Sequence, residues 1–372
     1  MASNVFDYMA AAFIVGSLFV AAVIVIPRIG YANIQSVDQQ QLRNVGLEVL
    51  KSMLFEKGSP KNWGTLDEFN QSQVTRFGLA SSSTPLYVLD PDKVYRLVED
   101  NPLGFLDYNT IRQLMKLDGY GFNLRIRPPF NVTIEDLSQQ MALHYEVTVK
   151  DYATRPIPNA IVKAYIIYSY IVDLKKDLNA MDYFEIQETT NEIGKCTIEK
   201  TLPDWISDFF TAFITTAGDV ATFIAVFGGQ TPREHVVDVS IVGDQVTLTR
   251  PKKSKTPRGR MWVANVLALN LYGTIDMYNG NKHDDMLNHG KHREWTKSFP
   301  GLNYGNPLLL VFNIVSESRA ELVFGPFPTY TGYRVIEYGE SPQGPVTVTN
   351  LQRTVSIGDM TYIFELTLWK RF

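Results

Sequence analysis

The chain of 372 residues contains a single cysteine, Cys196, and only five histidines. A lone cysteine cannot form an intramolecular disulfide, whereas eukaryotic extracellular domains of this size usually carry several pairs. Charge of one sign is also lacking, since 35 basic residues face 39 acidic ones and the formal net charge is −4. Because no basic field is present, nucleic acid is not expected as a partner.

The sequence also lacks the motifs that carry common enzyme chemistry. It has no Gly-rich phosphate loop, no nucleophile elbow, no paired-cysteine zinc motif and no His-Glu-x-x-His. We therefore expect the protein not to be an enzyme and to require no cofactor. The hydrophobic content of 45% and aromatic content of 12% are sufficient for folded cores.

An uncharged apolar run extends from Tyr8 to Ile26, between Asp7 and Pro27. About 20 apolar residues in a helix cross a bilayer core of ~30 Å. The preceding residues contain no Lys or Arg and no Ala-x-Ala site ends the run, so a retained anchor is favoured over a cleaved signal peptide. The sequence thus predicts a single-pass protein of the cell membrane, with the lipid bilayer as a partner.

The sequence carries two opposing signals for the side of the membrane that holds the body. Arg28 follows the apolar run, and the positive-inside rule then places the body in the cytoplasm, where it would scaffold a membrane complex. One or two basic residues are a weak signal, and the lack of disulfides fits a prokaryotic surface. The glycosylation candidates Asn70 and Asn131, each in an Asn-x-Ser/Thr triplet, slightly favour an extracellular body, which is our expectation.

After Pro27 the pattern becomes amphipathic. Apolar residues recur at helical spacing up to a stop at Gly58-Ser59-Pro60. Residues 1–57 are therefore predicted to form one long membrane-spanning and amphipathic helix. Its apolar stripe has two possible partners, the chain's own body or other copies of the chain. The stripe includes Leu42, Val45, Val49, Leu50, Met53 and Leu54.

The remaining chain is predicted to be mostly β. Residues 58–130 form a small α+β segment, in which Asp90 caps one short helix and Asp107 begins another. Residues 131–250 form a β-sandwich with a helical insertion at Trp205–Ala217, residues 251–261 a basic linker, and residues 262–372 a C-terminal β-rich domain. The fold class is a long N-terminal helix and a small α+β segment followed by two sandwich-like domains.

The segments "VTVKD", "PIPNAIVKAYI" and "TTNEIGKCTI", which begin at Val147, Pro156 and Thr189, carry a resemblance. They resemble the Ig-like module of the carboxypeptidase-regulatory or invasin type. Pro156 and Pro158 keep an edge segment extended, as that module requires. The module is a spacer and adhesion unit, so the resemblance implies no catalytic residues.

The order of an apolar segment, an amphipathic helix and a β-rich head is similar to that of archaeal type IV pilin-like proteins. The stretch "DQQQLRNVGLEVLKSML" with the later "NWG" adds to this resemblance. No basic prepilin-peptidase site precedes the apolar run, which departs from the pilin pattern. The resemblance implies a membrane-anchored surface protein of structural or adhesive function. It also implies a pilin-like filament subunit that assembles through its N-terminal helix, with copies of itself or pilin-like subunits as partners.

One cluster of metal-ligating residue types lies in a polar loop. It contains His283, Asp285, His289 and His292 and ends at Glu294. Imidazole and carboxylate are ligands for zinc, and the alternative function is a membrane-tethered metal-dependent hydrolase or ligand-binding protein. The spacing matches no established ligand pattern of a helix or hairpin, so a surface loop is favoured and no metal site is predicted.

Overall fold

The computed structural model describes most of the chain after residue 38 and shows a predominantly β protein. Its described helices are α1 (38–55), α2 (Pro91–Tyr95) and α3 (Tyr108–Leu114), with short 3₁₀ turns at Trp63–Thr65 and Gln71–Gln73. The described residues are 13, 15, 17, 38–66, 69–81, 87–99, 101, 104–173, 178–228, 237–249, 261–280, 286–287, 294–300, 302, 309–316, 319–326, 335–344 and 346–371.

Twenty strands are described, and they fall into three structural bodies. They are β1 (Val88–Leu89), β2 (Tyr120–Arg127), β3 (Asn131–Asp136), β4 (Ala142–Lys150), β5 (Ile161–Asp173), β6 (Leu178–Thr189), β7 (Lys195–Thr201), β8 (Ile206–Ala217), β9 (Val220–Gly228), β10 (Asp238–Val242), β11 (Gln245–Thr249), β12 (Met261–Asn270), β13 (Gly273–Asn279), β14 (Met286–Leu287), β15 (Glu294–Ser298), β16 (Leu309–Ser316), β17 (Arg319–Pro326), β18 (Ile336–Gly339), β19 (Val348–Ile357) and β20 (Met360–Lys370).

The first body, called the base, places α1 against a five-stranded sheet of order β1-β19-β20-β2-β18. The amphipathic stripe of α1 is buried in the same cluster as alternate residues of β19 and β20. Gly46 faces the sheet, and a Cβ there would lie 3.0 Å from a Leu351 methyl group, so the glycine allows close approach. Of the two partners left open for the stripe, the described structure shows the chain's own sheet. The buried stripe consists of Leu42, Val49, Leu50, Met53 and Leu54.

The other two bodies are sandwiches with the same strand order. In the first, residues 131–228, the sheet β3-β4-β7 covers the sheet β6-β5-β8-β9. In the second, residues 237–326, β10-β11-β15 covers β13-β12-β16-β17, and β14 adds to β12. When β14 is left out and the strands are taken in chain order, β3 to β9 occupy the same places in their two sheets as β10 to β13 and β15 to β17 occupy in theirs. Each is a three-plus-four sandwich of Ig-like kind, with its own apolar core between the sheets.

The four-stranded sheets of the two sandwiches also pack against each other through their outer faces. β8 and β5 contact β17, and β6 contacts β12 and β16. The Asp208 carboxylate of β8 accepts a hydrogen bond of 2.9 Å from the Leu322 backbone N–H of β17. Four β layers therefore stack, and the cluster between the middle pair continues into the base. Its residues include Tyr165, Ile167, Phe210, Ala212, Leu267, Leu269, Leu309 and Val311.

The prediction that residues 1–57 form one long membrane-spanning helix is wrong. Where the chain is described, no helix has both the length and the apolar character needed to cross a membrane. The apolar run from Tyr8 to Ile26 lies outside the described residues, apart from Phe13, Val15 and Ser17. The inferred single-pass membrane localisation is therefore not supported. An apolar run meets the length criterion by composition alone, which does not establish how the segment folds.

Of three other predictions, two differ from the structure and one lies almost entirely outside the described residues. Trp205–Ala217 is not a helical insertion, because Ile206–Ala217 is strand β8 in the centre of a sheet. The residues after 335 do not complete the domain predicted for 262–372, since β18 and β20 pair with β2 of the base. The basic linker 251–261 lies outside the described residues except Met261. Alternation of apolar residues identifies a strand but not its partner, and this explains the second difference.

The contact of α1 with the sheet of the base should dominate the stability of that body. Leu50 is 3% exposed and Leu47, one turn earlier, is 36% exposed. We expect Leu50→Ala to lower the free energy of unfolding by about 2–5 kcal/mol, because it leaves a cavity in the packed face. Leu47→Ala is the control and should change it by less than about 1 kcal/mol. Urea unfolding followed by circular dichroism measures both, and equal effects would contradict this packing.

Candidate functional site

The sequence-predicted site residues are only partly described. His283, Asp285, His289 and His292 all lie outside the described residues, and Glu294 is an exposed residue of β15. Within the described part of the chain, no group of three or more His, Cys, Asp or Glu side chains is placed to hold a metal ion. The metal hypothesis therefore stays a prediction that the structure does not test.

The two glycosylation candidates are both described and exposed. Asn131 begins β3, at the edge of the first sandwich. Asn70 caps the 3₁₀ turn that follows it, since its side-chain oxygen accepts a hydrogen bond of 3.0 Å from the Ser72 N–H. Both remain candidates for modification, and no step of chemistry depends on them.

A cluster of four aromatic side chains at one end of the first sandwich was not identified from the sequence. It consists of Tyr168 and Tyr170 of β5, Phe184 of β6 and Trp205 from the β7–β8 connection. We call it the aromatic shelf. Tyr168 is buried and Trp205 is 55% exposed, so the shelf runs from the core to the surface.

The rings of the shelf meet in a defined geometry. Tyr168 and Phe184 stack with centroids 4.8 Å apart and an interplanar angle of 26°. Trp205 forms T-shaped contacts with Tyr168, at a centroid distance of 5.7 Å, and with Tyr170, at 5.3 Å. Each ring therefore holds the orientation of the next, as expected for offset-stacked and T-shaped pairs.

The shelf exists because β5 and β6 are long strands. They span 13 and 12 residues, whereas β7 on the facing sheet spans 7. Tyr168, Tyr170 and Phe184 lie on the face of β5 and β6 that packs on the core of this sandwich, towards the end at which the two strands are connected. Trp205 projects over this face from a short connection whose ends are fixed by the buried residues Leu202 and Ile206. The Leu202 N–H also donates a hydrogen bond of 2.8 Å to the Met141 carbonyl.

Charges of both signs flank the shelf. The Lys200 ammonium lies 4.5 Å from the centre of the Phe184 ring, in a cation–π contact. Asp182 of β6 lies directly opposite Tyr168 in the ladder and is exposed. Burial, and then the negative charge of Asp182, raise the pKa of Tyr168 to about 12, so its hydroxyl keeps its proton at neutral pH. The shelf thus offers apolar ring faces with one cation and one anion beside them.

The second sandwich has a related arrangement in which the tryptophan is buried. The Lys297 ammonium of β15 lies 3.5 Å from the ring centre of Tyr278 in β13, and these strands correspond to β7 and β6 of the first sandwich. The adjacent Trp295 is only 6% exposed and belongs to the core. A cation–π contact between corresponding strands is thus common to both sandwiches. The exposed tryptophan distinguishes the first.

A second polar constellation is buried in the base and is structural. Asp90 caps α2, and the Lys93 ammonium donates hydrogen bonds to the carbonyls of Ala80 at 2.9 Å and Lys57 at 3.0 Å. The Arg96 guanidinium donates to three further carbonyls, including that of Leu66 at 2.8 Å. These cations satisfy loop carbonyls that would otherwise be buried without partners, so α2 holds the loops of the base together.

Asp92 of α2 connects this constellation to the second sandwich. Its carboxylate accepts a hydrogen bond from the backbone N–H of Gly243, in the turn between β10 and β11. Burial, and then repulsion from Asp90, raise the pKa of Asp92 to about 7, although Arg96, Gly243 and Lys93 favour the ionised form. A carboxyl group at this position titrates near neutral pH.

Comparison with known proteins identifies no family. No family model and no curated protein matches the sequence. Solved structures with local similarity include a mutant of Salmonella alpha-2-macroglobulin, with 8% identity, a TM-score of 0.22 and coverage of 62% of this chain and 17% of that one. Red sea bream transglutaminase gives 10% identity, a TM-score of 0.17 and coverage of 59% and 34%. The FN1–FN3 domains of chicken CNTN1 give 11%, 0.16, and 54% and 68%. The chain thus spans less than two thirds of the first two proteins, and these scores are too low to support a functional argument.

The position of Asp92 predicts a pH dependence of stability. The folded protein retains the Asp92 proton up to about pH 7, whereas the ordinary value is 3.8, so between these values the folded state binds more protons than the unfolded chain. This group should therefore lower the free energy of unfolding as the pH rises from 4 to 7, by up to about 4 kcal/mol. Asp92→Asn should remove that slope and be more stable than the parent at pH 8.

The measurement is urea unfolding at several pH values for the parent and both variants. Asp219→Asn, a change at an exposed residue in the β8–β9 turn, is the control and should keep the slope of the parent. If Asp92→Asn and Asp219→Asn show the same pH dependence, the buried carboxyl group is not its source.

Proposed function

We propose that the protein is a non-catalytic adhesion protein that contacts its ligand through the aromatic shelf of the first sandwich. The base and the stacked sandwiches are its structural body. The observation that carries this proposal is the exposure of Trp205, which is 55% accessible although it borders a buried aromatic cluster. Tryptophan and tyrosine supply large, rigid contact areas at binding surfaces.

The rigidity of the shelf supports the same function. Strand β5 of the shelf and strand β8, which follows Trp205, are buried on both faces, by the core of their own sandwich and by the second sandwich behind. The Asp208 to Leu322 hydrogen bond lies close to the shelf in β8. A surface that is fixed before binding loses less conformational entropy when it meets a ligand.

The pilin-like alternative, assembly through the N-terminal helix, has less support. The apolar stripe of α1 is already used by the sheet of the base, as Leu50 and Met53 show. A stripe that is buried within its own chain is not free to pack between copies. The adhesive role therefore rests on the sandwich and not on α1.

The test is retention of the full chain on coated surfaces. Purified protein is passed over cellulose, starch, mannan, gelatin and serum albumin, and the bound fraction is measured by immunoblot. We expect retention on at least one surface and a reduction of about tenfold or more for Trp205→Ala, since removal of a central aromatic residue typically weakens binding that much. Tyr272→Ala is the control, because Tyr272 is 82% exposed but lies in the β12–β13 turn of the second sandwich.

Trp205→Ala should fold normally, because over half of the side chain is already exposed. Its circular dichroism spectrum and melting temperature should match those of the Tyr272→Ala variant. If the parent protein binds none of the five surfaces, or if both variants bind as well as the parent, the adhesion proposal is wrong.

A further inference from the structure

We propose that the aromatic shelf binds a neutral carbohydrate, with a pyranose ring stacked on Trp205. This inference rests on the adhesive function above and specifies its ligand. Three features of the shelf favour this class of ligand: the indole of Trp205, which is 55% exposed, the opposite charges beside it, and the donors and acceptors that those charges supply.

The ring face determines what packs on it. An indole face carries negative electrostatic potential, and the axial C–H groups of a pyranose present a weakly positive, flat apolar surface. The T-shaped contacts of Trp205 with Tyr168 and Tyr170 fix the orientation of the indole, so that it need not reorder on binding. Aliphatic chains would pack equally well on any apolar surface and would not need fixed rings.

The charges select against ionic ligands. Asp182 is an exposed anion beside the shelf and repels phosphate and carboxylate groups. A ligand cation would compete with Lys200, whose ammonium already occupies the face of Phe184 at 4.5 Å. A neutral ligand avoids both penalties, and the overall net charge of −4 also disfavours polyanions.

The same charged groups suit hydroxyl ligands. A sugar hydroxyl donates to a carboxylate such as that of Asp182 and accepts from an ammonium such as that of Lys200. The Tyr168 hydroxyl stays protonated because burial raises its pKa to about 12, and its hydrogen bond with the Asp182 side chain holds that carboxylate beside the shelf. An apolar ring face with a few polar groups at its margin is the usual composition of small-ligand sites.

The experiment is isothermal titration of the full chain with cellohexaose, maltohexaose and mannohexaose. We expect at least one to bind with a Kd below about 1 mM. Trp205→Ala should weaken that binding by about tenfold or more, and Trp205→Phe, which keeps a ring face, should weaken it less. Tyr272→Ala should leave the Kd unchanged. Sialyllactose, which carries a carboxylate, should bind more weakly than the neutral sugars.

Two results would overturn the inference. One is the absence of binding by all three neutral oligosaccharides, and the other is an equal Kd for the parent and Trp205→Ala. If either occurs while retention on serum albumin still depends on Trp205, the adhesive function survives and its ligand is a protein. If retention on every surface is also absent, both the ligand and the function proposed for the shelf are wrong.

Discussion

The pairing of β2 with β18 and β20 is the constraint on which the rest of the structure depends. Ile126 lies opposite Ile336 in one ladder and opposite Phe364 in the other, so both ends of the sandwich region return to one sheet. The chain between residues 127 and 336 is therefore a long insertion between two strands of the base. The entropy of closing a loop rises only slowly with its length, by about 0.6 kcal/mol for each doubling, so an insertion this long is tolerated.

The chain leaves the base after β2, forms the two sandwiches and returns to the base at β18, and the four-stranded sheets of the two sandwiches pack back to back. The outer faces of β5 and β8 carry apolar residues that no covering sheet of their own sandwich reaches. The second sandwich buries them, and the hydrogen bond between Asp92 and Gly243 joins the β10–β11 turn of that sandwich to the base. At the other junction, Tyr152 of the first sandwich stacks on Arg127, which pairs with Glu365 at 2.6 Å. The three bodies thus restrain one another.

Local signals in the sequence identified elements correctly where short-range chemistry decides the structure. Asp90 and Asp107 were predicted to begin helices, and both accept the expected backbone hydrogen bonds at the N-termini of α2 and α3. The apolar stripe of α1 is buried as its spacing indicates for Leu42 to Leu54. The amphipathic pattern did not reveal the partner of the stripe, because an apolar face packs equally well on a sheet or on another helix.

Non-local features were not predictable in the same way. The apolar run Trp205–Ala217 predicts a helical insertion, whereas Ile206–Ala217 is a strand that the second sandwich buries on its outer face as well. The candidate site also depends on contacts between residues that are distant in sequence. Trp205 gains its significance from Tyr168 and Phe184, which lie on strands far from it in sequence, and a single exposed tryptophan carries no signal by itself. A mixed run of aromatic and β-branched residues, as in "FFTAFITT", was the available hint of a strand.

The two sandwiches place a tryptophan differently on the same topology. Both close the gap between their sheets with a lysine on an aromatic ring, Lys200 on Phe184 and Lys297 on Tyr278. In the second sandwich Trp295 lies within β15 and fills the core, where its burial stabilises the fold. In the first, Trp205 lies just before β8 and remains exposed, so its apolar area contributes little to folding. A large aromatic surface that folding leaves accessible is the kind of surface that our proposal assigns to a ligand, and the position of the tryptophan relative to its strand decides whether the side chain is buried or exposed.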